Sequence, residues 1–397
     1  MIKRVLAKIR RLYILLIAPP KHWKIPKKCE VLIYDTTNSK YFAPYLRSRS
    51  VGILPVRGEG VNISCLLCGM LKVSFWTGKP LRAYVHAYIQ MTSPKLLITF
   101  IDNDINFYEI SHCFPSMKTM FVQNGSRSEV GDVFDGLVRS DNYHVDYMLV
   151  HGSAIGNYYK KYISGSMLEI GSLKNNEVLK EPWAGDKSIL FVSQYTERPK
   201  HGDVFVNASD GASYTWDQFY FAEIQVIKFL NNWCLKNNRI LEIGGRGFNE
   251  ECNEKNFYAE YLTDCEWKFI PRNDLYSSYK LADVAEVVVF IDSTLGYESI
   301  GRGNKTASFS CRGSSLGDDK GSKFGWPLEL PDNGLFWTSL VNESEFCRVM
   351  DYLISVSDAD WDETLQYFKN ELMNYDFGNT KFVKLLDEIL LSPENSI

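Results

Sequence analysis

VVVFIDSTLGYESIGRGNKTASFS, residues 287–310, opens as an unbroken run of β-branched and aromatic residues, the pattern of a strand buried on both faces of a parallel sheet. Asp292, Ser293 and Thr294 end the strand. A short helix starts there, with Gly296 in its first turn and Glu298 one turn in, and it stops at Gly301-Arg302-Gly303 before another strand at 306–310. Hydroxyls and unpaired N–H groups at a helix start suit a phosphate, because the donors and the positive end of the dipole point the same way. An acid one turn later suits the two hydroxyls of a ribose. The plainer alternative has Ser293 or Thr294 capping the helix and Glu298 solvated.

Working outward, two neighbouring strand exits carry the same chemistry. The strand at 239–244 runs into Gly245-Arg246-Gly247, where a bare backbone can approach an anion and Arg246 can balance its charge. Residues 271–278, PRNDLYSS, follow the strand at 267–270 and place Ser277 and Ser278 at the next helix start. Neither a G-x-G-x-x-G after the first strand nor a phosphate-loop lysine is present, which disfavours dinucleotide dehydrogenases and P-loop enzymes.

The same alternation fills the first half, with strands expected at 31–34, 51–55, 96–101, 119–123 and 147–150 and helices near 41–48, 61–73 and 153–163. Alternating β and α units twice over predict an α/β protein of two Rossmann-like domains facing a cleft, with a mainly helical C-terminus. The expected division is a leader at 1–28, a first domain at 29–175, a linker at 176–187, a second domain at 188–375 and a closing helix at 376–397. The polar stretch 196–215 reads as a long loop.

A chain of 397 residues is long enough for two cores. Its net charge of -4 hides an asymmetry: residues 1–28 hold nine of the 44 basic residues and no acid, so the remaining 35 face 48 acids, a net of -13. That body is a poor nucleic-acid binder. In the leader, Ile2, Val5, Leu6, Ile9, Leu12, Tyr13 and Leu16 form one helical stripe among basic residues, the pattern of a helix lying on a membrane surface through residues 1–18, with a helix packed on the protein itself or a secretory signal as the alternatives. Its apolar run is too short to span a bilayer. The nine cysteines form no paired framework, and Cys65-x-x-Cys68 lacks a second pair, so buried thiols in a reducing cytoplasm are expected. His86, His112, His144 and His151 show no metal spacing; His151, ending the strand YMLV, is the one best placed for a role.

The string IDSTLGYE with GRGNKTASFS, preceded by SSYKLAD, resembles the donor-binding half of GT-B glycosyltransferases and of nucleotide-sugar 2-epimerases. Together with YFAPYL, RGEGVN, PKLLITFIDND, FVQNGSRS, DYMLVHGSAIGNYY, GSLKNN, ILFVSQY, FGWP and GNTKF, it resembles a family of surface carbohydrate biosynthesis proteins of bacterial lipopolysaccharide and capsule loci, over about residues 30–390. The resemblance implies a nucleotide sugar as substrate, with no separate cofactor and no metal. Ser293, Thr294 and Arg246, with Ser277, Ser278 and Gly296 nearby, would hold its phosphate, and Glu298 its ribose. It also implies a lipid-linked glycan acceptor and a peripheral place on the inner face of the cytoplasmic membrane. Where several GT-B relatives carry Lys-Pro-His-Pro, this chain has the Arg246 turn.

The first half should then supply the acceptor side. A transferase needs a carboxylate or His to take the acceptor's proton. Asp102, after the strand LLITFI, is the first candidate and Glu59, after VGILPV, the second. Arg57, Asn124 and Arg127 are candidates for holding acceptor or sugar. Few cations are evident near the expected phosphate site, which leaves room for a CMP-activated acidic sugar. Two rival readings are a 2-epimerase using the same cleft and a metal-dependent GT-A transferase using Asp102-Asn103-Asp104 as a D-x-D motif.

Overall fold

The structure, a computed structural model, describes residues 20–128, 132–183, 185–199, 204–207, 213–249, 253–262, 266–317 and 323–391. The surface-helix expectation for residues 1–18 lies outside them. In the first half, β1 (Val31–Tyr34), β2 (Val51–Leu54), β3 (Leu96–Thr99), β4 (Lys118–Val122), β5 (His144–Val150) and β6 (Ser164–Glu169) form a six-stranded sheet in the order β2-β1-β3-β4-β5-β6. All its pairings are parallel. β1 and β3 are buried at every position, as unbroken VLIY and LLIT runs must be when layers cover both faces. On one face lies α1 (Pro80–Thr92), begun by a proline whose missing N–H costs nothing at that position. α2 (Ser153–Tyr159) follows β5.

In the second half, β7 (Ser188–Val192), β8 (Ile240–Gly244), β9 (Trp267–Ile270), β10 (Val287–Phe290), β11 (Thr306–Ser308), β12 (Asn333–Gly334) and β13 (Trp337–Thr338) form a seven-stranded sheet in the order β9-β8-β7-β10-β11-β13-β12. It is parallel except for the last hairpin. The strand order reverses between β7 and β10, which opens a crevice at their carboxyl ends. α3 (Trp216–Lys236), α4 (Ser277–Val284), α5 (Thr294–Arg302), α6 (Glu343–Ser355) and α7 (Asp358–Glu371) accompany this sheet. α8 (Thr380–Leu391) then returns to the first half, where Phe382, Leu386 and Leu390 close the free face of the first sheet over Ile33, Phe42 and Phe100.

Several elements differ from expectation. β6 is read as SGSMLE, an exposed and half-exposed edge strand whose Gly165 has φ +139°, so it lacks the apolar run that marks the inner strands. α1 mixes aromatic and β-branched residues of modest helix propensity, and burial of Ala83, Tyr84 and Ala87 stabilises it. The helix expected at 61–73 divides into Ile63–Met70 and Val73–Trp76. Within 196–215, a two-stranded ribbon pairs Val206–Asn207 with Ser213–Tyr214.

α5 ties the halves together along one stripe. Thr294, Glu298 and Arg302, four residues apart, share a face of the helix. Thr294 Oγ1 accepts from the N–H (3.0 Å) and hydroxyl (3.1 Å) of Ser126, beyond β4. Glu298 accepts from Ser172 (2.5 Å) and Arg302 donates to Asn175 Oδ1 (3.1 Å) and Val178 O (2.9 Å), all on the crossing segment. Arg302 is also paired with Asp283 of α4, both side chains fully buried. Gly303, at φ +86°, ends the helix in the left-handed conformation that glycine takes without strain.

Removing one partner of a buried ion pair strands the other charge, so Arg302→Met should cost about 3–5 kcal/mol in urea unfolding. A loss below about 1 kcal/mol, the range of surface pairs, would show that the stripe does not hold the halves together.

Candidate functional site

A cleft of about 620 Å³ lies at the carboxyl edge of β7, β8 and β10, closed on the other side by Asn38, Tyr41 and Lys174 of the first half. Among the residues singled out by sequence, Arg246, Ser278, Ser293, Thr294 and Glu298 line it. Ser293 caps α5 by accepting the Leu295 N–H (3.3 Å), so the capping alternative describes its side chain as the structure stands. Thr294 lines the cleft while its oxygen serves Ser126. Glu298 is almost wholly buried. Its Oε1 takes both the Ser172 bond and one from Tyr279 (3.1 Å), and among the described residues Oε2 accepts none. Solvation of Glu298, the plainer alternative, therefore does not hold.

Three assignments near the phosphate need correction. Gly296 does not line the cleft. A side chain there would run into the Phe290 ring, about 2.0 Å from its Cβ position, so this glycine serves helix-on-strand packing. Ser277 turns to its own loop and accepts from the N–H of Asn273 (3.1 Å). The Gly245-Arg246-Gly247 turn is already occupied: buried Glu254 accepts the Arg246 N–H (3.0 Å) and the Gly247 N–H (3.2 Å), so an internal carboxylate stands where an anion was expected. The Arg246 side chain remains available to the cleft. Its Nη1 is held by Gln194 O (3.1 Å), Tyr195 O (3.2 Å) and Thr196 Oγ1 (3.1 Å), neutral groups that fix its position and leave its charge.

Two further cations, Arg272 and Lys174, line the cleft. Arg272, directly after β9, lines the cleft with its Nε buried and without a hydrogen bond, and its only side-chain bond among the described residues is a long one to Leu275 O (3.4 Å). Lys174 lies over the rings of Tyr41 (5.7 Å) and Phe100 (6.0 Å). Burial holds the Tyr41 hydroxyl above its usual range, with Arg272 opposing and Glu298 reinforcing, which places all three groups in one electrostatic neighbourhood. Arg272 follows a strand end just as Arg246 does, so the rule that found one applies to the other. Lys174 and Tyr41 reach the cleft only through the packing of the halves, and no local pattern marks them.

The first-half candidates do not line the cleft. Asp102 is fully buried, accepting from Arg127 Nε (2.7 Å), Tyr159 OH (2.5 Å) and the Asn124 N–H (3.2 Å). Burial alone would raise its pKa, yet the charge and hydrogen bonds of Arg127 leave it below the usual carboxylate range. Arg127 is spent on Asp102 and Asp132, and Asn124 on Arg127, so these three brace the loop that reaches Thr294. Arg57 pairs with buried Asp35. Glu59 is exposed and accepts from the Arg57 N–H (3.0 Å) and from Thr36 (2.6 Å), which stands two residues before cleft-lining Asn38. The D-x-D reading fails on geometry, since Asp104 is committed elsewhere, accepting from Tyr34 OH (2.8 Å) and capping residues 105–108. Among the described residues no group of three His, Cys, Asp or Glu could hold a metal, and no helix is long and apolar enough to cross a membrane.

Residues 120–390 match a family model described as "putative O-antigen biosynthesis protein". No curated protein matches the sequence. Among solved structures, a "putative UDP-N-acetylglucosamine 2-epimerase" from Listeria monocytogenes is similar at TM-score 0.54 and 9% identity, over 92% of this chain and 98% of the other. A glycosyltransferase from Rickettsia africae is similar at TM-score 0.50 and 10% identity, over 93% and 100%. These likenesses show the fold: two parallel α/β sheets in a GT-B-like architecture with C-terminal helices.

His151 lies beside this buried cluster, and burial pushes its pKa down to about 3. The unfolded chain therefore binds that proton more readily, so the contribution to stability is full above the ordinary value of 6.5 and is lost as pH falls toward 3. Urea midpoints should drop between pH 6.5 and about 5, where most carboxylates stay ionised, and His151→Asn should flatten that slope. An equally steep slope in the variant would contradict this assignment.

Proposed function

The chain belongs to this O-antigen biosynthesis family, and from that premise we propose that it is a glycosyltransferase moving a sugar from a nucleoside diphosphate donor to a lipid-linked glycan. The observation that carries the reading is the convergence of Arg246, Arg272 and Lys174 on one cleft, opposite the open oxygen of Glu298. Arg272 weighs most, because a buried guanidinium nitrogen without a partner is costly until a ligand supplies one. Three cations suit two phosphates better than one. That favours a diphosphate donor over the CMP-activated sugar that the sequence alone left open.

In this reading the start of α5 and Arg272 take the phosphates, Arg246 and Lys174 complete the charge, and Glu298 Oε2 accepts from the ribose. The acceptor hydroxyl oxygen bonds to the anomeric carbon as the bond from that carbon to the diphosphate oxygen breaks. The electron pair leaves on the diphosphate, where the three cations stabilise it. Glu59 takes the hydroxyl proton in this reading, because it is an exposed carboxylate held by Thr36, two residues before cleft-lining Asn38. Asp102, enclosed by Arg127 and Tyr159, positions the loop that reaches Thr294.

UDP or CDP should raise the thermal midpoint more than UMP or CMP, and Arg272→Ala should weaken diphosphate binding by about tenfold or more, as expected for a charge-assisted bond. Equal shifts from mono- and diphosphates, or an unaffected variant, would remove the diphosphate from the cleft. Glu59→Gln should slow transfer about a hundredfold with nucleotide affinity unchanged.

A further inference from the structure

We propose that the exposed apolar face built from residues 20–25 and 63–76 is a docking surface for an anionic lipid bilayer, distinct from the leader at 1–18. Local bonds assemble this face. Residues 21–22 pair in parallel with 61–62, Asn62 Nδ2 donates to Lys24 O (2.8 Å), and the Ser64 hydroxyl donates to Trp23 O (3.4 Å). Helix Ile63–Met70 turns Cys65, Leu66 and Gly69 inward against α1. Ser64, Leu67 and Leu71 follow at spacings of three and four along the outer face. Trp76 is fixed to the end of that helix by its indole N–H, which donates to Met70 O (2.8 Å).

The result is a continuous apolar surface that stays in water: Leu71 is 87% exposed, Val73 76%, Trp23 72% and Trp76 69%. Scattered apolar residues need no explanation, whereas a contiguous patch with two tryptophans does. Charge identifies the partner. Lys21, Lys24, Lys27 and Lys28 are exposed along the 20–28 segment and Lys72 stands between Leu71 and Val73, and residues 20–29 and 60–80 contain no Asp or Glu. A body that is otherwise acidic is thus locally basic where it is most apolar. Tryptophans at the headgroup level and lysines toward anionic phosphates are what a bilayer surface selects. The chain enters this face from the loop that carries Glu59, and Glu59 is bonded to Thr36, two residues before cleft-lining Asn38. The docking stands whichever reaction the cleft performs, and only its link to a lipid-borne acceptor rests on the transferase reading.

The test uses the full chain in co-sedimentation with vesicles of phosphatidylcholine alone and of phosphatidylcholine with phosphatidylglycerol. The wild type should sediment with the anionic vesicles, and Leu71→Glu with Val73→Glu should weaken that at least about tenfold. Lys24→Glu with Lys72→Glu should act the same way, and all variants should keep the nucleotide-induced thermal shift, which reports on the cleft separately. Brominated lipid should quench part of the tryptophan emission in the wild type and less in Trp23→Phe with Trp76→Phe. Unchanged sedimentation of both charge variants would overturn the proposal, as would equal binding to neutral vesicles. A wild-type dimer that the Leu71 variant converts to monomer, with no vesicle binding, would overturn it in favour of a second copy. A Leu71 variant that loses thermal stability with no change in vesicle binding would give the face to the chain's own leader.

Discussion

One face of one short helix holds this molecule in its working shape. Thr294, Glu298 and Arg302 recur every four residues on α5, and they engage Ser126, Ser172 and the 175–178 segment in turn. Because the spacing of a helix fixes their order, the three contacts form or fail as a set. The same helix presents its start to the cleft. Any ligand there meets groups whose positions depend on both halves at once.

Charge is distributed to the same end. Buried cations are paired within the protein: Arg302 with Asp283, Arg127 with Asp102, and Arg312 with Asp292 and Glu223. A carboxylate, Glu254, fills the Gly245–Gly247 backbone turn that would otherwise draw an anion. Among the described residues, Arg246, Arg272 and Lys174 line the cleft without an ion pair to a carboxylate. In an acidic body, a small set of such cations creates a local positive field that the net charge does not reveal.

The sheets were legible because parallel strands covered on both faces are written as unbroken apolar runs, as in VLIY, LLIT and VVVF. The site was legible in part for a related reason: ligands gather at strand ends, and Arg246, Ser278, Ser293, Thr294 and Glu298 stand there. Partner choice was not legible. Nothing local announces that Glu254 will take the Arg246 turn, that Asp102 will be enclosed by Arg127 and Tyr159, or that Lys174 will cross to the cleft. Gly296 shows the limit plainly, since the absence of a side chain serves a phosphate or an aromatic ring equally well until the ring is seen. β6 was missed because an exposed edge strand carries no apolar run.

In the proposed function the cleft holds a nucleoside diphosphate sugar and passes its sugar to an acceptor. The most direct measurement follows UDP-N-acetylhexosamines by NMR with the purified protein, first alone and then with membranes bearing lipid-linked glycan. A transferase leaves the donor unchanged on its own and releases UDP once acceptor membranes are added. Conversion of the donor to its 2-epimer without any acceptor would contradict that function.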